Sequence, residues 1–191
     1  MVIKTNHTIC FFILIILLSG CYKEYSYEKQ DDIPVQLPVD TIKPVTAEFP
    51  VCSSCIETAE PQASKWSFKS GNSLLCGRID TAILTFERSA FTFFGPSSCS
   101  LDTGLVITVY LEDNPLNSDK FNLTIKKTAF YYYQHGAPYI FMTDPGTRFT
   151  VTIDSYIHAT HVISGTFSGS AFRSDGRIAE ITSGKFKTIL L

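Results

Sequence analysis

Charge is scarce in this chain, and neither sign dominates it. Asp, Glu, Lys and Arg make up 18% of the 191 residues, and 16 basic against 18 acidic side chains leave a formal net charge of −2. A nucleic-acid binder needs a basic face to neutralise phosphates. None is supplied here, so no nucleic-acid partner is expected. Amphipathic helices are missing as well, since no stretch long enough for a helix repeats its apolar residues at 3.6-residue spacing. Nor is this the composition of a disordered chain. Hydrophobic residues reach 45% and aromatic ones 13%, ample apolar surface to offset chain entropy. Six cysteines are too few for a small disulfide scaffold and too many to ignore.

The N-terminus carries an address. Lys4 supplies a modest positive charge, and residues 9–18 form an apolar run of about ten residues. That suits the hydrophobic region of a signal peptide and falls short of the ~20 residues needed to span a bilayer. The run ends in Leu18-Ser19-Gly20-Cys21, which resembles the bacterial lipobox. The resemblance implies that residues 1–20 are a lipoprotein signal peptide and that Cys21 becomes the acylated first residue of the mature chain. Three acyl chains, at about 0.8 kcal/mol per buried CH₂, would anchor it durably to a membrane. Position 22 is Tyr rather than Asp, so the enterobacterial inner-membrane retention signal is absent and outer-membrane residence is expected. Lys23-Glu24 matches in part the Lys-plus-acidic surface-export signals of Bacteroidota lipoproteins, which leaves periplasmic and surface exposure both open.

Residues 21–60 read as a lipidated tether. Pro34, Pro38, Pro44 and Pro50 favour extended, semi-stiff chain, and no hydrophobic period is sustained. Residues 61–191 read as one antiparallel β domain. Leu105, Ile107, Val109 and Leu111 share a face; Phe121, Leu123 and Ile125 alternate with polar residues; Phe149, Val151 and Ile153 give the clearest alternation in the chain. Asp175-Gly176 marks a hairpin ahead of a last strand from Ile178. The expected fold class is all-β, an antiparallel sandwich or partly closed barrel of about 8–10 short strands.

The closing segment, with Gly165-Thr166-Phe167-Ser168 and then Ile181-Thr182-Ser183-Gly184-Lys185-Phe186, resembles the C-terminal hairpin of an uncharacterised group of Bacteroidota β-sandwich lipoproteins. The resemblance covers that hairpin and implies fold and location from Trp66 onward. It carries no site residues, because the group has no established activity. The Cys-x-x-Cys ahead of the domain departs from the group's simplest members.

With Cys10 in the signal peptide and Cys21 acylated, Cys52, Cys55, Cys76 and Cys99 remain. An even number in an oxidising envelope reads as two disulfides, whose connectivity the sequence leaves open. A four-thiolate zinc site would want a second Cys-x-x-Cys. A redox-active Cys52/Cys55 pair would want a helix N-terminus, and Pro61 closes the short stretch that follows. No metal or cofactor is expected.

Three histidines, His135, His158 and His161, fall in the domain. Asp154 and His158 share one strand face in regular alternation, which invites an acid–base or metal reading with His161 nearby; exposed strand-end residues are the plainer one. The densest chemical feature is Phe130-Tyr131-Tyr132-Tyr133-Gln134-His135-Gly136-Ala137-Pro138-Tyr139. Phe130 and Tyr132 read as core, and Tyr131, Tyr133 and Tyr139 as a candidate binding patch, because phenol rings offer an apolar face and a hydroxyl. Trp66 reads as a core plug.

Two function classes follow. One is a membrane-anchored envelope lipoprotein, a non-catalytic accessory that binds a protein or glycan partner. The alternative is a small periplasmic hydrolase or metal-dependent enzyme using Asp154 with His158 or His161.

Overall fold

The computed structural model describes residues 46, 48–134, 137–143 and 148–191, with backbone alone at 137–139. Cys21, the signal peptide and His135 lie outside the described residues. Eleven strands follow in order: β1 (Lys65–Ser70), β2 (Ser73–Arg78), β3 (Thr81–Leu84), β4 (Ala90–Pro96), β5 (Thr103–Tyr110), β6 (Lys120–Ile125), β7 (Thr128–Gln134), β8 (Ala137–Met142), β9 (Thr150–Ile157), β10 (Val162–Phe172) and β11 (Ile178–Ile189). The class is all-β, and the antiparallel sheet curls into a half-barrel. Among the described residues there is no helix, and so none long and apolar enough to cross a membrane. The count exceeds the expected range because Pro138 masks β8, while Ser, Lys and Gly residues dilute the pattern of β1 and β2.

Two segments make up the sheet. One runs β6-β9-β10-β11-β1-β2 and the other β8-β7-β5-β4-β3; the single pair Phe172↔Met142 joins β10 to β8. On the far side, Gly77 of β2 bridges to Ser97, and Leu191 exchanges backbone hydrogen bonds with Ala82 and Leu84 of β3, each at 2.9 Å. The inward faces of the two segments share one aromatic core. Phe93 of β4 stacks on Phe186 of β11 at 4.7 Å, and Phe68 of β1 meets Phe130 of β7 edge-on at 5.9 Å. Trp66 is 1% exposed and belongs to this core.

The alternation slips at β-bulges on β9 and β11, and the β7–β8 register also shifts between Tyr132 and Gln134. Phe149, Val151 and Ile153 face inward, but Ser164 pairs with Ser155 while Gly165 pairs with Ile153, so Asp154 is the extra residue and Tyr156 becomes the next inward side chain. On β11 the inward positions run Ala179 and Ile181, then Gly184, Phe186 and Thr188, with the slip at Ser183, whose φ is +52°. A bulge puts one extra residue on one strand and exchanges the faces beyond it.

The domain begins before residue 61. Phe49, read as tether, is buried, stacks on Phe141 at 3.9 Å and meets Phe68 and Tyr132 edge-on at 5.1 and 5.2 Å. One large aromatic between Pro44 and Pro50 has no period to announce it, yet the area it buries outweighs the local preference for extended, solvated chain.

Candidate interaction face

The outer faces of the two segments differ in charge, although the six-stranded one also exposes Phe121 and Ile189. Across the six-stranded segment, Cys76, Ser67, Lys185, Thr166, Thr152 and Thr124 are successive cross-strand partners. Lys65, Lys69 and Lys187 flank this polar row on the same face. The chain also straps part of it. Lys185 Nζ donates to the carbonyl oxygens of Thr58 (2.9 Å) and Ala59 (2.7 Å). Lys69 Nζ pairs with Glu57 at 2.7 Å, and that hydrogen bond and charge hold the Glu57 carboxyl below its usual pKa.

Disulfides complete the strap. Cys52 joins Cys99 and Cys55 joins Cys76, with Cα–Cα distances of 5.5 and 5.6 Å. This geometry gives one of the three connectivities that the sequence left open. The sulfurs of Cys52 and Cys55 lie 3.1 Å apart, so the two bridges form one sulfur cluster at the strand ends. Between strap and sheet is a groove of about 260 Å³ whose walls include Gln62, Lys65, Ser67, Cys76 and Lys185.

On the five-stranded segment the corresponding row reads Thr81, Phe94, Val106, Tyr131 and Met142. A second row reads Ile83, Thr92, Thr108 and Ala129, with the Thr92 and Thr108 hydroxyls bonded at 2.9 Å. Tyr110, Gly104 and Tyr133 complete the face. Among the described side chains of this face none is charged. Ile83, Phe94 and Tyr110 are 51%, 37% and 43% exposed. Charges appear at the rim instead: Lys127 pairs with Glu112 at 3.1 Å beside the Tyr110 ring, and Arg78 pairs with Asp80 at 2.6 Å. An apolar, aromatic centre within a charged rim is the layout of a protein interface.

The candidate tyrosines fall on this face unequally. Tyr131 sits half-buried in the middle of the apolar row. Tyr133 lies over Gly104, its cross-strand partner, where a Cβ would collide with the phenol ring. Burial, the nearby Asp80 carboxylate and Tyr132 together raise the Tyr133 pKa. Tyr133 is therefore part of the sheet's packing. Tyr139 belongs to β8, and its side chain is outside what the structure describes.

Asp154 and His158 do not converge. Asp154 points to the outer face, as the alternation from Ile153 requires, and there partial burial and the Glu60 carboxylate raise its pKa. His158 begins the β9–β10 turn on the other side of the strand. Its Nδ1 lies 3.2 Å from the Leu116 carbonyl oxygen and 3.4 Å from Arg88 Nη1, which also donates to the Tyr156 hydroxyl at 3.2 Å. His161 ends the same turn with its ring 6.0 Å from that of His158. These groups tie the β9–β10 turn to Arg88 and the loop after β5, and the expected shared face of residues 154 and 158 is lost to the bulge.

Comparison with known proteins returns no match: no family model, no curated protein and no solved structure.

Proposed function

We propose that the protein is a membrane-anchored envelope lipoprotein whose β domain is a non-catalytic interaction module, working through the uncharged outer face of β3, β4, β5, β7 and β8. The observation that carries the reading is the contrast in charge between the two outer faces: one bears Lys65, Lys69, Lys185 and Lys187 and is strapped in part by its own chain, the other has no charge among its described side chains and exposes Phe94, Ile83 and Tyr110. Contiguous exposed apolar surface of this kind marks interaction sites in soluble domains. The separation of Asp154 from His158 favours a binding role over acid–base chemistry. Leu18-Ser19-Gly20-Cys21 supports acylation at Cys21 and residence in the outer membrane, and the β10–β11 resemblance to Bacteroidota lipoproteins points the same way.

The test is metabolic labelling with an acyl-chain probe in cells expressing the full chain or its Cys21→Ala variant. Label on the first and not the second, with the variant recovered as a soluble or uncleaved precursor form, supports the anchor. Equal labelling of both contradicts it.

A further inference from the structure

We propose that the uncharged outer face is a self-association surface whose occupant is a second copy of this chain, packed face to face about a two-fold axis. This rests on the reading of that face as the working surface and names its partner.

Three observations select a second copy. The first is charge. A two-fold contact sets each residue near its own counterpart or its neighbours, so a charged face repels itself. The face of β3, β4, β5, β7 and β8 has no charge among its described side chains, whereas the opposite face carries Lys65, Lys69, Lys185 and Lys187 together with Asp154 and Glu180, charges that a symmetric contact would have to desolvate. The second is shape. The apolar row runs across consecutive strands, with Phe94, Val106, Tyr131 and Met142 as successive cross-strand partners. Facing sheets can pack about 10 Å apart with their side chains interdigitated.

The third is area. Five strands at about 4.8 Å spacing, 4 to 8 residues long, cover roughly 500 Å² per copy. Two copies then bury about 1,000 Å², the size at which a specific interface begins. The rim pairs Lys127–Glu112 and Arg78–Asp80 each carry both signs and lie outside the apolar centre, where they add selectivity without repelling a symmetric partner.

The test is sedimentation equilibrium of the mature chain, residues 21–191, carrying Cys21→Ser, which removes both the acyl anchor and the apolar signal segment and keeps copies from sharing a micelle. The account predicts a concentration-dependent dimer. Phe94→Lys sets two like charges inside the contact and should raise the dissociation constant at least about tenfold, with the unfolding midpoint unchanged. Ile83→Lys, at a more exposed position, should do the same and serves if Phe94→Lys folds poorly. Lys187→Ser on the opposite face should leave the dimer intact. A monomer at every concentration up to the millimolar range overturns the proposal. So does a dimer that both lysine variants leave unchanged. If the chain is monomeric but Phe94→Lys abolishes capture of a different envelope protein, the second copy is refuted while the binding face stands. If neither association nor capture responds, both readings fail.

Discussion

Phe186 of β11 stands directly across from Gly165 of β10, and its ring fills the space that a Cβ on Gly165 would need. Phe167 does the same to Gly184 in the opposite sense, so each strand offers the other one ring and one vacancy. Glycine inside a strand loses packing and costs backbone entropy, and a cross-strand ring laid over it restores the buried contact. The G-T-F and G-K-F triplets of the closing hairpin are thus a packing device. Gly77 under Trp66 and Gly104 under Tyr133 repeat it elsewhere in the sheet.

Gly184→Ala should therefore destabilise the domain by about 1–3 kcal/mol, the cost of overpacking a filled site. Gly184→Ala combined with Phe167→Leu should cost somewhat less than the sum of the two single changes, because the smaller side chain relieves the ring contact while the clash with the Phe167 carbonyl oxygen stays. Urea unfolding midpoints of the four proteins measure both. Strict additivity would separate the ring from the glycine.

The disulfides close loops of different size, with sequence separations of 47 for Cys52–Cys99 and 21 for Cys55–Cys76. On loop-closure entropy, removal of the first should cost about 4 kcal/mol and of the second about 3 kcal/mol. The paired Ser substitutions, compared by thermal unfolding, should rank in that order. Thiol titration of the denatured, unreduced mature chain should find no free thiol among the four; four free thiols, or a stoichiometric zinc ion, would contradict the pairing.

Phe49→Ala should destabilise by about 3–5 kcal/mol, the scale for truncating a core Phe. A variant that unfolds at the wild-type midpoint would return residues 46–60 to the tether.

Tyr133 makes stability depend on alkaline pH. Its pKa is raised from the usual 10.0 by burial first, then by Asp80 and Tyr132. The folded state holds the proton more tightly than the unfolded chain, so the contribution of the neutral phenol is complete below pH 10 and drains away as pH rises through the higher folded value. Replacing Tyr133 with Phe should remove one late-ionising phenol from the ultraviolet titration and flatten the alkaline fall of the unfolding midpoint. A titration identical to wild type would contradict this assignment.

Fold class was legible because Leu105 to Leu111 and Phe149 to Ile153 alternate without interruption, and alternation is a local property. The bulges at Asp154 and Ser183 were not legible, since one extra residue is defined only against a partner strand. Missing the first misplaced His158. Tyr131 was legible as an outward residue, but its row with Phe94, Val106 and Met142 draws on four strands, and register between strands is not written in any one of them. The charge-free character of the face, by contrast, was latent in a chain only 18% charged, whose lysines are concentrated on the other segment.

The central claim, that the uncharged face is the working surface, is tested most directly by photo-crosslinking in cells. A photoreactive phenylalanine at position 94 should give discrete adducts of defined mass, while the same group at Thr166, in the polar row of the opposite segment, should give none. Adducts from position 166 alone, or from neither position in cells that retain the full-length protein, would contradict the account.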